Sequence, residues 1–183
     1  MAIKTFTAGE VLTASDTNTF LANSGLVFVK SQSVTGGAGV ASVTVSNAFS
    51  STYDSYKIIY SGGSMAATSL IGLQLGSTTT NYNSSLIYCV YGGGGTGVVS
   101  TTTGSSFTFA GIGYTDGATV SIEVDNPFLS QPTYVNKVFS SKGESGSFGG
   151  VLNNTTSYTA FNLVGAVANM VGGVITVYGY RKA

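Results

Sequence analysis

From residue 26 onward, apolar side chains recur at every second position, which is the period of a β-strand. Residues 40–46 read VASVTVS and residues 120–125 read VSIEVD. Each stretch has one apolar and one polar face, as a half-buried strand does. The same period, or an apolar run of strand length, occurs in eight further segments: residues 26–30, 56–61, 68–75, 86–91, 107–109, 134–140, 158–164 and 174–180.

Clusters of glycine, serine, threonine and asparagine separate these segments, at residues 35–37, 61–64, 92–95, 114–117 and 153–156. Glycine and asparagine adopt the backbone conformations of tight turns at low cost. No helical pattern lies between the segments, so we predict an antiparallel β-sandwich or barrel. The 26 glycines show no three-residue period, which excludes a collagen-like chain.

The first 30 residues differ from the rest and contain the one convincing helix signal. Thr13 and Asp16 have the spacing of a capping box, and Gly25 can end the helix, so we predict a helix over residues 14–23. A helix of about ten residues is marginal in water and needs a surface to dock on. We therefore predict a docking segment, residues 1–30, and a β-domain, residues 31–183. The predicted docking contacts are Val11, Leu12, Phe20 and Leu21.

The chain is poor in reactive groups, with no histidine, one cysteine, seven acidic and seven basic residues. Without histidine, neither a Ser-His-Asp triad nor a Cys-His pair can form. A single cysteine excludes an intrachain disulfide and a four-cysteine zinc site. Cys89 lies in an apolar run, where we expect a small buried side chain. We predict no enzymatic activity and no cofactor.

The formal net charge is zero, and the only adjacent basic residues are Arg181 and Lys182. A nucleic-acid-binding face needs clustered lysine or arginine, so we expect no nucleic-acid partner. The chain starts without the apolar run of a signal peptide and has no run of about 18 apolar residues, so we expect no membrane insertion. Few charges are present to protect sheet edges, which favours assembly with copies or partners.

Two features have both a functional and a structural interpretation. Glu123 and Asp125 lie on the same face of one predicted strand, with Asp116 in the preceding turn. Such carboxylates could serve glycoside hydrolysis or bind calcium, and a solvated strand face is the structural alternative. Residues 92–95 are four glycines, but a phosphate-binding loop would need a following lysine, so we predict a hairpin loop.

Three of the eleven tyrosines, Tyr82, Tyr114 and Tyr158, lie in or beside polar loops. A tyrosine on a loop offers a rigid apolar ring and a hydroxyl, which suits recognition of protein or carbohydrate. We predict that these rings form a recognition surface. The structural alternative is that they cap the ends of the sandwich.

Three segments resemble structural proteins of tailed bacteriophages, and together they cover about a fifth of the chain. Residues 6–21, FTAGEVLTASDTNTFL, resemble the opening motif F-x-A-G-E-x-L-T-A-x-D-x-N-x-x-L of tail-associated or fibre-like proteins. Residues 52–59, TYDSYKII, resemble a strand of their β-sandwich modules, and residues 174–182, VITVYGYRK, resemble the closing strand. Unlike long fibres, this chain has no coiled-coil shaft or repeat region.

The resemblance implies a non-enzymatic virion protein, made in the host cytoplasm, with a jelly-roll-like β-sandwich behind a short N-terminal helix. It implies a homotrimer that residues 1–30 attach to other virion proteins. The leading function is a tail-associated fibre or receptor-binding knob, in which Tyr82, Tyr114 and Tyr158 contact a host-surface glycan or protein. The alternatives are a capsid-decorating or head-fibre protein, a carbohydrate-processing enzyme that uses Glu123 and Asp125, and a free lectin.

Overall fold

The computed structural model describes residues 7–11, 13–14 and 25–182, and this part of the chain is built from antiparallel strands. A single 3₁₀ turn, Tyr91–Gly93, joins two of them. The prediction of an all-β antiparallel fold is confirmed. The strands are β1 (Leu26–Ser33), β2 (Ser42–Val45), β3 (Ser55–Met65), β4 (Ser69–Leu75), β5 (Tyr82–Val90), β6 (Thr96–Gly104), β7 (Phe107–Tyr114), β8 (Gly117–Asp125), β9 (Thr133–Ser140), β10 (Glu144–Leu152), β11 (Phe161–Gly165), β12 (Met170–Val171) and β13 (Val174–Tyr180).

Most of the predicted N-terminal helix, residues 14–23, lies outside the described residues, so it stays a prediction. The same holds for Leu12, Phe20 and Leu21 of the predicted docking contact, whereas Val11 is described and highly exposed. The predicted domain boundary after residue 30 falls inside β1, which pairs with β13 along its length. Residues 26–30 are therefore part of the β-domain in the structure.

The sheet branches at β8. One edge of β8 pairs with β3 from Ala118 to Asp125. The other edge pairs first with β7, through residues 117–120, and then with β9, through residues 123–125. From this branch point one arm continues in the order β7-β4-β11-β2 and the other in the order β9-β10-β5-β6, while β3 leads to β13 and β1.

The two arms pack against each other as the layers of a sandwich. Tyr82 of β5 meets Phe107 of β7 edge to face, with 4.8 Å between the ring centroids. Phe109 of β7 meets Phe148 of β10 at 6.1 Å. Such edge-to-face pairs are favourable beyond the area that they bury. The buried side chains of both arms and of β3, β8 and β13 form one contiguous core.

The face of β9, β10, β5 and β6 that points away from this core is here called the outer face. Cys89 of β5 is exposed, so the prediction of a buried thiol was wrong. Burial alternates only in the first half of β5, and beyond Leu86 no residue of the strand is fully buried. The apolar run around Cys89 belongs to a strand that extends past the core.

Candidate binding cleft

A concave surface lies beside the branch point, where the β7–β8 hairpin and the β9–β10 hairpin diverge. The cavity between the two hairpin ends has a volume of about 410 Å³. We call it the fork cleft. One wall is the β7–β8 hairpin, the other is the turn that follows β9, and the lining residues are Ile112, Tyr114, Asp116, Gly117, Ala118, Thr119, Ser140, Ser141 and Lys142.

Tyr114 crosses the cleft from the end of β7. Its hydroxyl donates a hydrogen bond to Oγ of Ser141, with 3.3 Å between the oxygens. The Ser141 hydroxyl in turn donates to the backbone carbonyl of Glu144 and accepts from the Glu144 backbone N–H. These bonds fix the turn after β9, and with it the position of the far wall. The side chain of Tyr114 is only partly covered, so part of its ring is accessible from the cleft.

A salt bridge also links the two hairpins at the mouth of the cleft. Lys142 Nζ donates to Oδ2 of Asp116, and both side chains are largely exposed. The hydrogen bond and the positive charge of Lys142 lower the pKa of the Asp116 carboxyl, and Asp116 raises the pKa of Lys142 in the same way. Solvent screens such a pair strongly, so it adds little to stability. It places one positive and one negative group beside the Tyr114 ring.

A smaller cavity of about 120 Å³ adjoins the fork cleft and leads inward to Lys137. Lys137 lies on the inner side of β9, and its Nζ donates to the carbonyl of Ala110 at 3.0 Å. The ammonium lies 4.7 Å from the centroid of the Phe139 ring. Burial lowers the pKa of Lys137 to about 8, although the negative charge of Glu144 acts in the opposite direction.

The groups that line the cleft are of kinds that can bind a ligand. It offers an aromatic ring, several hydroxyls and one ion pair whose charges cancel, which suits a polar ligand without net charge. A saccharide has this character, because its ring has apolar faces and its hydroxyls both donate and accept hydrogen bonds.

Only one of the three tyrosines predicted from the sequence reaches this cleft. Tyr114 does, but Tyr82 and Tyr158 are 0% and 5% exposed. Tyr82 is the first residue of β5, and its hydroxyl accepts from the N–H of Leu75 and donates to the carbonyl of Thr78. The Tyr158 hydroxyl is hydrogen-bonded to Thr78 and Asn154. Both rings face the interior, so the prediction of a shared surface was wrong, and these two rings fit the alternative of capping the sandwich.

The second candidate site, at Glu123 and Asp125, is part of a polar network on β8. Lys57 Nζ lies 3.5 Å from Oε1 of Glu123, and the Tyr180 hydroxyl donates to the same oxygen at 2.7 Å. Burial, and then the hydrogen bond to Glu123, raise the pKa of Tyr180 to about 12. Glu123 is thus already paired on the strand face. Among the described residues, no group of three or more His, Cys, Asp or Glu is placed to hold a metal ion.

Sequence reasoning missed Lys137, Ser141 and Lys142. The turn signal at residues 114–117 was recognised, and residues 141–143 read SKG, which is an equally good turn. Nothing in the sequence says that these two turns are neighbours. They become neighbours only because β7 and β9 pair with the same edge of β8.

No protein-family model matches this chain, and neither a curated protein nor a solved structure matches it significantly. Within the described residues, no helix combines the length and the apolar character needed to cross a membrane.

Proposed function

We propose that this chain is a bacteriophage virion protein, a tail-associated receptor-binding knob built on a jelly roll. The order of the strands is the observation that carries the proposal. Leaving aside β12 and the β5–β6 and β9–β10 hairpins, eight strands form two groups, β1-β13-β3-β8 and β2-β11-β4-β7. Numbered along the chain, these orders are 1-8-3-6 and 2-7-4-5, and this order supports the proposed jelly roll, a fold of two Greek keys.

The two remaining hairpins are insertions into this jelly roll, and they pair with each other. The β5–β6 hairpin follows the fourth strand and the β9–β10 hairpin follows the sixth. Because β9 pairs with β8 and β10 pairs with β5, the insertions widen one of the two sheets. The fork cleft lies where the widened part begins. A recognition site added to a common fold in this way is a frequent route to a specific function.

Three further observations support a virion protein. Jelly rolls of this kind recur in viral capsid and lectin domains. The chain has no histidine and 8% charged residues, which suits a structural role better than proton-transfer chemistry. Two of the three segments that resemble phage proteins correspond to the start of β3 and to β13, which are adjacent strands of one sheet. Residues 1–30 are the proposed attachment to other virion proteins.

The proposed ligand of the fork cleft is a neutral saccharide of the host surface. Tyr114 supplies the ring on which a sugar would stack, and Ser140 and Thr119 supply hydroxyls. Asp116 and Lys142 offer an acceptor and a donor at the mouth. Aromatic residues in such clefts often provide much of the binding energy, so Tyr114 is the residue to test.

The virion assignment is tested by imaging particles of the phage that encodes the chain. We expect density for the two-sheet sandwich on the tail. The same density on the capsid would replace the tail assignment by the head-fibre or decoration alternative. Absence of the chain from purified particles would overturn the virion assignment altogether.

The binding site is tested with Tyr114→Ala in the full chain, measured as binding to host cells or to their isolated surface glycans. We expect a loss of about tenfold or more, which corresponds to about 1.4 kcal/mol. The matched control is Tyr134→Ala, because Tyr134 is also partly exposed but lies on the outer face, away from the cleft. Equal binding by both variants and the wild type would remove the cleft from the proposal.

A further inference from the structure

Among the described strands of more than two residues, three have a neighbouring strand on one side only: β1, β2 and β6. The free side of such an edge strand presents unpaired backbone N–H and C=O groups, onto which another strand can add. Stable monomers therefore protect their edges with charges, bulges, prolines or short strands. The three edges of this protein differ sharply in such protection.

Two of the edges are protected. β1 has a bulge between Phe28 and Lys30, and the Lys30 ammonium hydrogen-bonds to the carbonyl of Ser46 at 2.7 Å. A bulge and a central lysine are both features that discourage pairing. β2 is protected by its length, because it has only four residues.

β6 has almost no protection. Its nine residues are TGVVSTTTG, without a charge or a proline. A bulge at Thr102 and Thr103 disturbs the pairing with β5 only at one end, so residues 96–101 form a regular edge. Val98 and Val99 point to opposite faces, and both are exposed. Such a composition is typical of an edge strand that pairs with another chain in the assembled protein.

We propose that β6 pairs antiparallel with β6 of a second copy of this chain. In a two-fold contact residue i of one copy faces residue j of the other, so an edge with charges of one sign would face charges of the same sign. Any antiparallel register of two β6 strands brings together only Gly, Ser, Thr and Val. The neighbouring strand β5 contains no charged residue either, so no like charges meet behind the edge.

Charge neutrality is what selects a second copy over a foreign strand. A partner that recognised this edge through charge would find nothing to pair with on β5 or β6, whereas an uncharged edge is complementary to itself. The contact also continues an apolar row on the outer face, since Val98 lies opposite Ile87 of β5. Two such edges close on each other with two-fold symmetry. The inferred assembly is therefore a dimer, unlike the trimer expected from the sequence.

The test is the oligomeric state of the full chain, measured by sedimentation velocity over a range of concentrations. We expect the wild type to be a dimer at about 50 µM and Ser100→Lys to be monomeric there, with the dissociation constant of the dimer raised about tenfold or more. Ser100 is exposed at the centre of the edge, so the lysine removes no buried contact. The control is Ser147→Lys, an exposed serine of β10 on the same outer face but inside the sheet.

Each outcome decides the proposal. A dimeric wild type, a monomeric Ser100→Lys and a dimeric Ser147→Lys support edge pairing, with circular dichroism showing that both variants fold. If Ser100→Lys and Ser147→Lys weakened the dimer equally, the two copies would meet through the outer face. That result would overturn edge pairing. A monomeric wild type, or a trimer that Ser100→Lys leaves intact, would also overturn it. The proposal is independent of the proposed function, since host binding and particle location do not enter the measurement.

Discussion

Three of the largest buried side chains are tyrosines whose hydroxyls bind backbone groups at the ends of loops. The Tyr56 hydroxyl accepts from the N–H of Ser50 and donates to its carbonyl, and the Tyr60 hydroxyl donates to the carbonyl of Gly172. Tyr82 makes the third set of such bonds. Buried backbone groups need partners, and a tyrosine can supply one while its ring fills the core. These residues fasten loops to the sandwich from the inside.

The Tyr82 hydroxyl makes the most testable of these contacts. It lies 2.7 Å from the backbone N of Leu75, and both residues are buried. Tyr82→Phe leaves this N–H without its partner, so we expect a loss of about 1–3 kcal/mol in the free energy of unfolding. The measurement is urea denaturation. The control, Tyr134→Phe on the exposed outer face, should change stability by less than about 0.5 kcal/mol, and equal effects would contradict this role.

Lys137 predicts a pH dependence of stability. Its pKa in the folded state is about 8, below the ordinary lysine value of 10.5. Between these values the unfolded state binds more protons, so the free energy of unfolding rises with pH, by at most about 1.4 kcal/mol per pH unit. Below pH 8 the protein bears the whole cost of the buried charge. Glu144, the acidic group that acts on Lys137, reduces this cost.

The measurement for Lys137 is the difference in unfolding free energy between Lys137→Met and the wild type. We expect the advantage of the methionine variant to shrink steadily between about pH 8 and pH 10.5. Lys142→Met is the control, because the Lys142 ammonium is exposed and its pKa is raised. The difference in unfolding free energy between Lys142→Met and the wild type should therefore not change up to about pH 10. If the difference in unfolding free energy between Lys137→Met and the wild type did not change with pH, the Lys137 ammonium would be solvated.

At the scale of elements, the strands with clear alternation were predicted and those rich in glycine and serine were not. β3, β8 and β13 were recognised because apolar residues occupy every second position. β10 reads ESGSFGGVL and β6 reads TGVVSTTTG, which resemble loops by composition. They belong to the β9–β10 and β5–β6 hairpins. The sequence therefore indicated the fold class but not the second, widened part of the sheet.

Gly146 of β10 is explained by the close approach of the β5 backbone, not by a turn. A Cβ on Gly146 would lie 2.1 Å from the Ile87 carbonyl oxygen and 2.9 Å from Cα of Tyr88, both backbone atoms of β5. We expect Gly146→Ala to destabilise the protein by about 1–3 kcal/mol, since β5 and β10 must move apart. Gly149→Ala in the same strand is the control, because its Cβ would meet only the Val135 carbonyl at 3.9 Å.

The two alanine variants are compared by chemical denaturation, and hydrogen exchange of β5 and β10 locates the effect. Faster exchange confined to these strands is expected for Gly146→Ala. Similar stability of both variants would mean that the strands adjust without cost, and the glycine would then need another explanation.

The candidate site was predictable only in part. Tyr114 was identified because it begins a good turn signal, Thr115-Asp116-Gly117, at the end of an apolar strand. Tyr82 and Tyr158 carried a similar signal, but polar neighbours in sequence do not tell whether a ring points outward. That depends on register: residue 82 lies on the side of β5 that faces Phe107. Burial of a loop-flanking ring is set by tertiary packing, which local composition does not encode.

At the scale of the whole molecule, β8 is the strand that ties the arms together. It pairs with β3, β7 and β9, and its side chains Val120, Ile122 and Val124 are all buried in the common core. The first and last strands, β1 and β13, also pair with each other. Such non-local pairing slows folding, because distant segments must meet before their contacts can form. Buried side chains of β5, β9 and β10 lie in this same core, so we expect these strands to unfold together with the rest of the sheet.

This arrangement predicts a single unfolding transition. Leu86 lies in the inserted β5 and Leu73 in β4 of the opposite arm, and both are buried in the same core. We expect Leu86→Ala and Leu73→Ala each to lower the free energy of unfolding by about 2–5 kcal/mol and to shift the whole transition without broadening it. Far-UV circular dichroism and tyrosine fluorescence should give the same midpoint for each variant. If Leu86→Ala instead produced an early transition that leaves the Leu73 side folded, the inserted hairpins would be a separate unit, and the core would be divided at β8 rather than joined there.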